Sequence, residues 1–241
     1  MKNFLIENKI FFEIFTSILL GVMAIVVSVQ ANLIAKAQLA LADESKNLTM
    51  LQHLPEIKAK FEYVDSEKRW RKERLVISNV GDEMHEFSSY EIAFVSLKEL
   101  QLLHKNQEPD PSMHLKKARI PLAEYFPNVS FGVNQDKGVI CTMDVDNTNL
   151  LDKNLGEFEN LYLTNNKSMN SNIERFLRVG YKDKFRKKHV EYLKFGPAGE
   201  SIPMNIEEGV EVFKEYEAKN MLNFTKSTAK DINILWLKYG A

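Results

Sequence analysis

Twenty consecutive residues, 10–29, read IFFEIFTSILLGVMAIVVSV, and this run constrains the chain more than any other part of it. A helix of that length spans about 30 Å, the thickness of a bilayer's hydrocarbon core. Within it, and just beyond, Glu13, Ser17, Gly21, Ala24, Ser28, Ala31 and Ala35 follow one another at steps of three and four, which keeps them on one helical face. The other faces carry Phe11, Phe12, Phe15, Ile18, Leu19, Val22, Met23, Ile25 and Val26, large side chains suited to lipid. Small and polar residues let membrane helices approach closely, with packing and interhelical hydrogen bonds replacing the absent hydrophobic drive. One reading is therefore a self-associating helix that lines a pore once copies assemble, with Glu13 facing a partner or a water-filled cavity. A plain anchor is the second reading: its small residues are ordinary for a membrane helix, and Glu13, one turn inside, reaches the headgroups. A cleaved signal peptide is the third, drawn from Lys2, Lys9 and the small residues of Val29-Gln30-Ala31. Against it, the apolar run exceeds a usual signal core, Glu13 interrupts it, and the helical pattern continues past the cut.

That pattern predicts a helix running on to about residue 52. Ala31, Ala35, Leu39 and Ala42 extend the seam, while Lys36, Asp43, Glu44 and Lys46 face water. Pro55 ends it, because the residue before a proline is pushed away from helical angles. The expected order is a tail (1–9), a transmembrane helix (10–30) and a helical stalk (31–54) that packs on its own copies or on its own domain.

After Pro55 the period changes to two. Ile57, Ala59, Phe61 and Tyr63 alternate with Lys58, Lys60 and Glu62, the mark of a half-buried strand. Further strands are expected at 75–79, closed by the Val80-Gly81-Asp82 turn, and at 87–97, 119–122, 138–145 and 161–164. A helical turn is expected at 100–104, and a hairpin at 174–182 and 188–195. Many short strands joined by polar turns point to a β-sandwich over residues 55–195. Beyond Gly196-Pro197, helices at 206–222 and 227–238 form a C-terminal appendage (196–241), docked on the domain or engaged in an oligomer. The fold class is mainly β with helices.

The order of one span, a helical continuation with Gln30 and Gln38, a proline, a strand and then LVISNVGD resembles a group of single-span bacterial membrane proteins with an immunoglobulin-like sandwich. The late RVGYKDKFRKKHVEY is similar to their last hairpin, which reads Tyr-x-Asp-x-Phe-Gly. Here Tyr181, Asp183 and Phe185 match, and Arg186 stands in place of the turn glycine. Some proteins built this way resemble channel-type effectors of bacterial anti-phage operons, the Hailong system among them. The resemblance implies a homo-oligomer in the inner membrane.

Charge excludes a general nucleic-acid or polybasic-membrane surface, since 32 basic residues meet 33 acidic ones for a net −1. The single cysteine, Cys141, excludes an intramolecular disulfide. His53, His85, His104, His114 and His189 are scattered, with no HExxH, GxSxG, P-loop or GxGxxG, so neither an enzyme, a cofactor nor a metal is expected. Asp144-Val145-Asp146-Asn147 lacks the glycine and distal glutamate of a calcium loop. Lys2 and Lys9 on one side of the span balance Lys36 and Lys46 on the other. A cytoplasmic C-terminal domain is the favoured orientation, because only the short tail then crosses.

Two local basic clusters remain. One is Lys68, Arg69, Trp70, Arg71, Lys72 and Arg74; the other, at the hairpin tip, is Lys182, Lys184, Arg186, Lys187, Lys188 and His189. Cations beside an indole suit phosphates and a stacked base, so a nucleotide or oligonucleotide is one expected ligand if the two loops lie together. Solvated hairpin tips, or contacts to anionic headgroups, are the alternative. The expected partners are membrane lipid, further copies of the chain and a cytosolic protein encoded in the same operon.

Overall fold

The computed structural model of the chain describes residues 8–64, 72–102, 115–126, 128–132, 137–145, 148–163 and 167–240. Two compact units form, Met1–His53 and Leu54–Ala241.

The first unit is one helix, α1 (Lys9–Gln52), 44 residues long and without a buried residue. At 1.5 Å per residue it extends about 66 Å, and no break separates residues 10–30 from those that follow. Its sequence contains no proline and one glycine, Gly21, so nothing interrupts the hydrogen-bond ladder. Hydroxyls inside the apolar stretch bond back to the helix, Thr16 Oγ1 to the Phe12 carbonyl at 2.7 Å and Ser17 Oγ to the Glu13 carbonyl at 2.8 Å. Among the described residues this is one helix long and apolar enough to cross a membrane.

The second unit runs β1 (Ile57–Val64), β2 (Lys72–Asn79), β3 (Met84–Gln101), β4 (Lys117–Ala123), β5 (Asn128–Phe131), β6 (Gly138–Val145), α2 (Thr148–Leu161), β7 (Lys167–Asp183), β8 (Lys188–Phe195), β9 (Ser201–Met204), α3 (Ile206–Ala218), β10 (Leu222–Asn223) and α4 (Ala229–Tyr239). The strands form a four-stranded sheet in the order β1-β2-β6-β5 and a six-stranded sheet in the order β10-β4-β3-β7-β8-β9. Neighbouring strands are antiparallel except β10 beside β4.

Strand parity assigns the layers. Ala93, Val95 and Leu97 of β3 point to one side of the larger sheet and Ile92 and Phe94 to the other, and all five are buried. On the first side, Leu177, Val179, Tyr181, Leu193 and Phe195 pack against Ala59, Phe61, Leu75, Ile77, Ile140 and Met143 of the smaller sheet. Next to that contact, α2 and α4 cover Val95, Leu97, Ile120 and Leu122 with Leu151, Leu155, Phe158, Ile232 and Trp236. On the second side, Val212, Phe213 and Tyr216 of α3 cover Ile92, Phe94 and Phe176. The C-terminal helices therefore complete two of the hydrophobic cores.

Three expectations need correction. Residues 161–163 form no strand, because Leu151, Leu155, Phe158 and Tyr162 repeat at helical spacing and form the apolar stripe of α2 and the turn after it; residue 164 lies outside the described residues. Residue 100 continues β3, whose pairing with β7 extends to Gln101 and Lys167, so no helical turn starts there; residues 103–104 lie outside the described residues. The central strands, expected to be short at 87–97 and 174–182, are the long β3 and β7, 18 and 17 residues.

The LVISNVGD segment owes its shape to close approach. Asn79 is fully buried, its Oδ1 accepts from the amides of Glu56 (3.1 Å) and Gly81 (3.0 Å), and its Nδ2 donates to the Asp82 carbonyl at 2.7 Å. A Cβ on Gly81 would lie 2.4 Å from the Glu56 nitrogen, so only glycine fits that turn.

Candidate functional site

Because α1 is continuous, the seam residues Glu13, Ser17, Gly21, Ala24, Ser28, Ala31 and Ala35 share an arc of about 80° at 100° per residue. Lys9 Nζ lies 3.8 Å from Glu13 Oε1, one turn apart, so the carboxylate has a counter-ion on its own helix. The Ser17 hydroxyl is held by the Glu13 carbonyl.

The β7–β8 hairpin tip is organised by Asp183. Its buried carboxylate accepts from the backbone amides of Phe185 and Lys187, both at 2.9 Å, and lies 2.8 Å from His189 Nε2. Burial alone would raise the Asp183 pKa; the His189 contact and the two amides outweigh it and hold the carboxyl below its ordinary range. Tyr181 stacks on the His189 ring at 5.2 Å and donates its hydroxyl to Glu191. Arg186 occupies the left-handed region at φ 64°. The turn thus keeps the geometry a glycine would adopt, with an arginine side chain displayed from it. A left-handed non-glycine residue costs about 1–2 kcal/mol, and glycine's extra chain entropy returns about 0.5–1 kcal/mol. Arg186→Gly is therefore expected to stabilise the unit by about 0.5–1 kcal/mol, read as a rise in the urea midpoint at unchanged slope.

Several cations of the two basic clusters are already engaged. Lys182 pairs with Glu86 at 2.5 Å and Lys184 with Asp82 at 3.0 Å, tying the hairpin to the β2–β3 turn region. Arg74 sits in β2 directly opposite Asp144 of β6 and grips it with two hydrogen bonds, 2.7 and 3.3 Å. Arg186, Lys187 and Lys188 are exposed at the tip. Lys68, Arg69, Trp70 and Arg71 lie outside the described residues, as do Asp146 and Asn147, and of Lys72 only the backbone is described.

Of the first cluster only the Arg74 side chain is described, and it stands on β2 away from the hairpin tip. Glu73, next to Arg74, touches Arg175 of β7, whereas the hairpin tip begins at Asp183. Eight residues of strand, about 26 Å, separate those two levels.

Three residues outside the predicted clusters, Glu73, Tyr125 and Arg175, form a largely buried polar triad between the two sheets. Arg175 Nη2 lies 2.5 Å from Glu73 Oε2, Arg175 Nε donates to the Tyr125 oxygen at 2.9 Å, and the Tyr125 hydroxyl donates to Glu73 Oε2 at 3.1 Å. The guanidinium also lies 4.9 Å from the Phe61 ring centre. Burial pushes the Tyr125 hydroxyl pKa well up, so it remains a donor. Parity carried a signal: Glu73 shares the phase of the inward Leu75 and Ile77, and Arg175 that of Leu177 and Val179.

Beside this triad a cleft of about 620 Å³ opens between α2, the first half of β7 and the turn after β8. No family model, curated protein or solved structure matches the chain. Among the described residues no group of three or more His, Cys, Asp or Glu side chains is placed to hold a metal ion. Cys141 is fully buried, and burial first, then the nearby Glu91, pushes its thiol pKa up to about 12, which leaves it unreactive.

Proposed function

We propose that this chain is a single-pass effector of the bacterial inner membrane that acts as a homo-oligomer. In this reading α1 crosses the bilayer once, copies associate along the line from Glu13 to Ala35, and the cytoplasmic domain receives a ligand or partner that opens or closes a path through the assembled helices. The observation that carries it is the unbroken α1, which brings seven small or polar positions onto one narrow arc opposite a surface of large apolar side chains. An immunoglobulin-like type for the sandwich is supported by strand order: β1-β2-β6-β5 facing β4-β3-β7-β8 follows the A-B-E-D and C′-C-F-G order of that fold. The exposed Arg186, Lys187 and Lys188 suit an anionic ligand, a nucleotide or oligonucleotide by chemical class. An anti-phage role rests on the resemblance to channel-type effectors.

A passive anchor that holds a cytosolic partner at the membrane is the second reading. It is favoured by the Lys9–Glu13 pair and the Ser17 back-bond, which satisfy polar groups without any neighbouring helix.

Two exchanges separate the readings. Gly21→Leu with Ala24→Leu is expected to block close approach and convert the crosslinked oligomer to a monomer in detergent. Replacing the whole span by polyleucine is expected to abolish the membrane depolarisation that the activated protein causes. Retained activity with polyleucine establishes the anchor and ends the channel reading.

A further inference from the structure

The cleft beside β7 is a gap in a β-ladder. β7 pairs with β3 along its whole length, Lys167 to Asp183, but with β8 only from Phe176 to Lys182. Residues 167–175 therefore face β8's side with no strand paired to them among the described residues. The cause is the turn after Phe195: Gly196 donates to the Glu200 carbonyl at 2.9 Å, and the Gly199 carbonyl accepts from Phe61 at 2.8 Å, which carries the chain away toward β1.

Edge groups point into this gap. The Ser171 amide donates to Glu159 Oε1 of α2 at 2.8 Å, a side-chain oxygen standing where a strand carbonyl would stand. In an extended strand the amide and carbonyl of one residue point the same way and the direction repeats every second residue, so Ile173 presents both groups to the same gap. The gap lies in the plane of the sheet, because its lining comes from both faces: Arg175 and Ile173 from the side of the smaller sheet and α2, Glu174 and Lys194 from the side of α3. Its volume, about 620 Å³, is that of a ligand cleft rather than of a trapped water. Four carboxylates line it: Glu73 is paired with Arg175 and Glu174 with Arg119, while Asp152 and Glu159 stand on α2 along the gap.

We propose that this gap receives an extended basic peptide segment of a partner protein, which adds to the larger sheet as a strand in line with β8, hydrogen-bonded to the edge at Ile173 and at Ser171, where its carbonyl replaces Glu159 Oε1, with a Lys or Arg against Asp152 and the displaced Glu159. Ladder continuity supplies the backbone bonds and the acidic wall of α2 selects the side chain. The site is independent of the membrane reading and holds whether α1 forms a pore or an anchor.

The test uses the full chain in detergent and three synthetic peptides: Val-Lys-Val-Lys-Val-Thr, its glutamate counterpart Val-Glu-Val-Glu-Val-Thr, and the lysine peptide N-methylated at alternate amides. The lysine peptide is expected to bind saturably, at least about tenfold tighter than the glutamate peptide, and to slow hydrogen exchange at Ile173. N-methylation is expected to abolish binding. Asp152→Lys with Glu159→Lys is expected to reverse the preference, and Ile173→Pro, which removes an edge donor without touching the β3 ladder, to remove it. Equal binding of the lysine and glutamate peptides, retained binding after N-methylation, or no binding of the lysine peptide at about 1 mM overturns the proposal. The peptide comparisons decide the matter even if a protein variant fails to fold.

Discussion

Arg175→Ala is expected to lower the unfolding free energy of the Leu54–Ala241 unit by about 3–5 kcal/mol, because it leaves the Glu73 carboxylate buried without its cation. The guanidinium joins the two sheets, β7 through its own backbone and β2 through Glu73, and both side chains are largely inaccessible, 17% and 6% exposed. Its Nε also meets Tyr125, so the three groups close a ring of hydrogen bonds with no water required. Removing one member strands the other two, and an unpaired buried charge costs far more than the intact pair stabilises. The complementary expectation follows from the same reasoning: Glu73→Leu, Arg175→Met and Tyr125→Phe together remove every polar atom of the triad and should leave stability within about 1 kcal/mol of the parent or above it. Urea denaturation of the purified chain in detergent measures both. An Arg175→Ala loss below about 1 kcal/mol would mean that water reaches Glu73.

Trp236→Ala is expected to cost about 3–5 kcal/mol, the range for truncating a buried aromatic side chain. Trp236 is 2% exposed, meets Tyr162 edge-on at 6.2 Å, and shares a core with β3, β4 and α2. The neighbouring Leu237 is 70% exposed, and Leu237→Ala should change stability by less than about 0.5 kcal/mol. The contrast tests whether the C-terminal helix is part of the domain's interior. Equal effects at the two positions would show that α4 is not held in this orientation.

Periodicity made much of this architecture legible. Alternation over residues 57–63, 75–79 and 138–145 places strands where β1, β2 and β6 stand, and the late hairpin and both C-terminal helices follow from their own patterns. The helix α2 escaped because Gly156 and the polar run around it dilute a stripe of only four apolar residues. Arg186 could not be judged from sequence, since a non-glycine residue enters the left-handed region only when the surrounding contacts, here the Asp183 carboxylate and its two amides, hold the turn.

By itself the sequence determined the periods: a 3.6-residue repeat through residue 52, a two-residue repeat after Pro55, and the small, polar seam of α1, because these depend on local backbone geometry alone. Tertiary structure decided the partners. Ile232, Ile234, Leu235, Trp236 and Leu237 form one apolar run, yet Ile232 and Trp236 are buried while Ile234 and Leu237 face out, because the phase of a helix is set by the surface it packs on. Glu73 and Arg175 each sit at an inward position 102 residues apart. Only the packing of one sheet on the other turns two isolated buried charges into a pair, and only the early departure of β8 leaves a stretch of β7 beside them with no paired strand among the described residues.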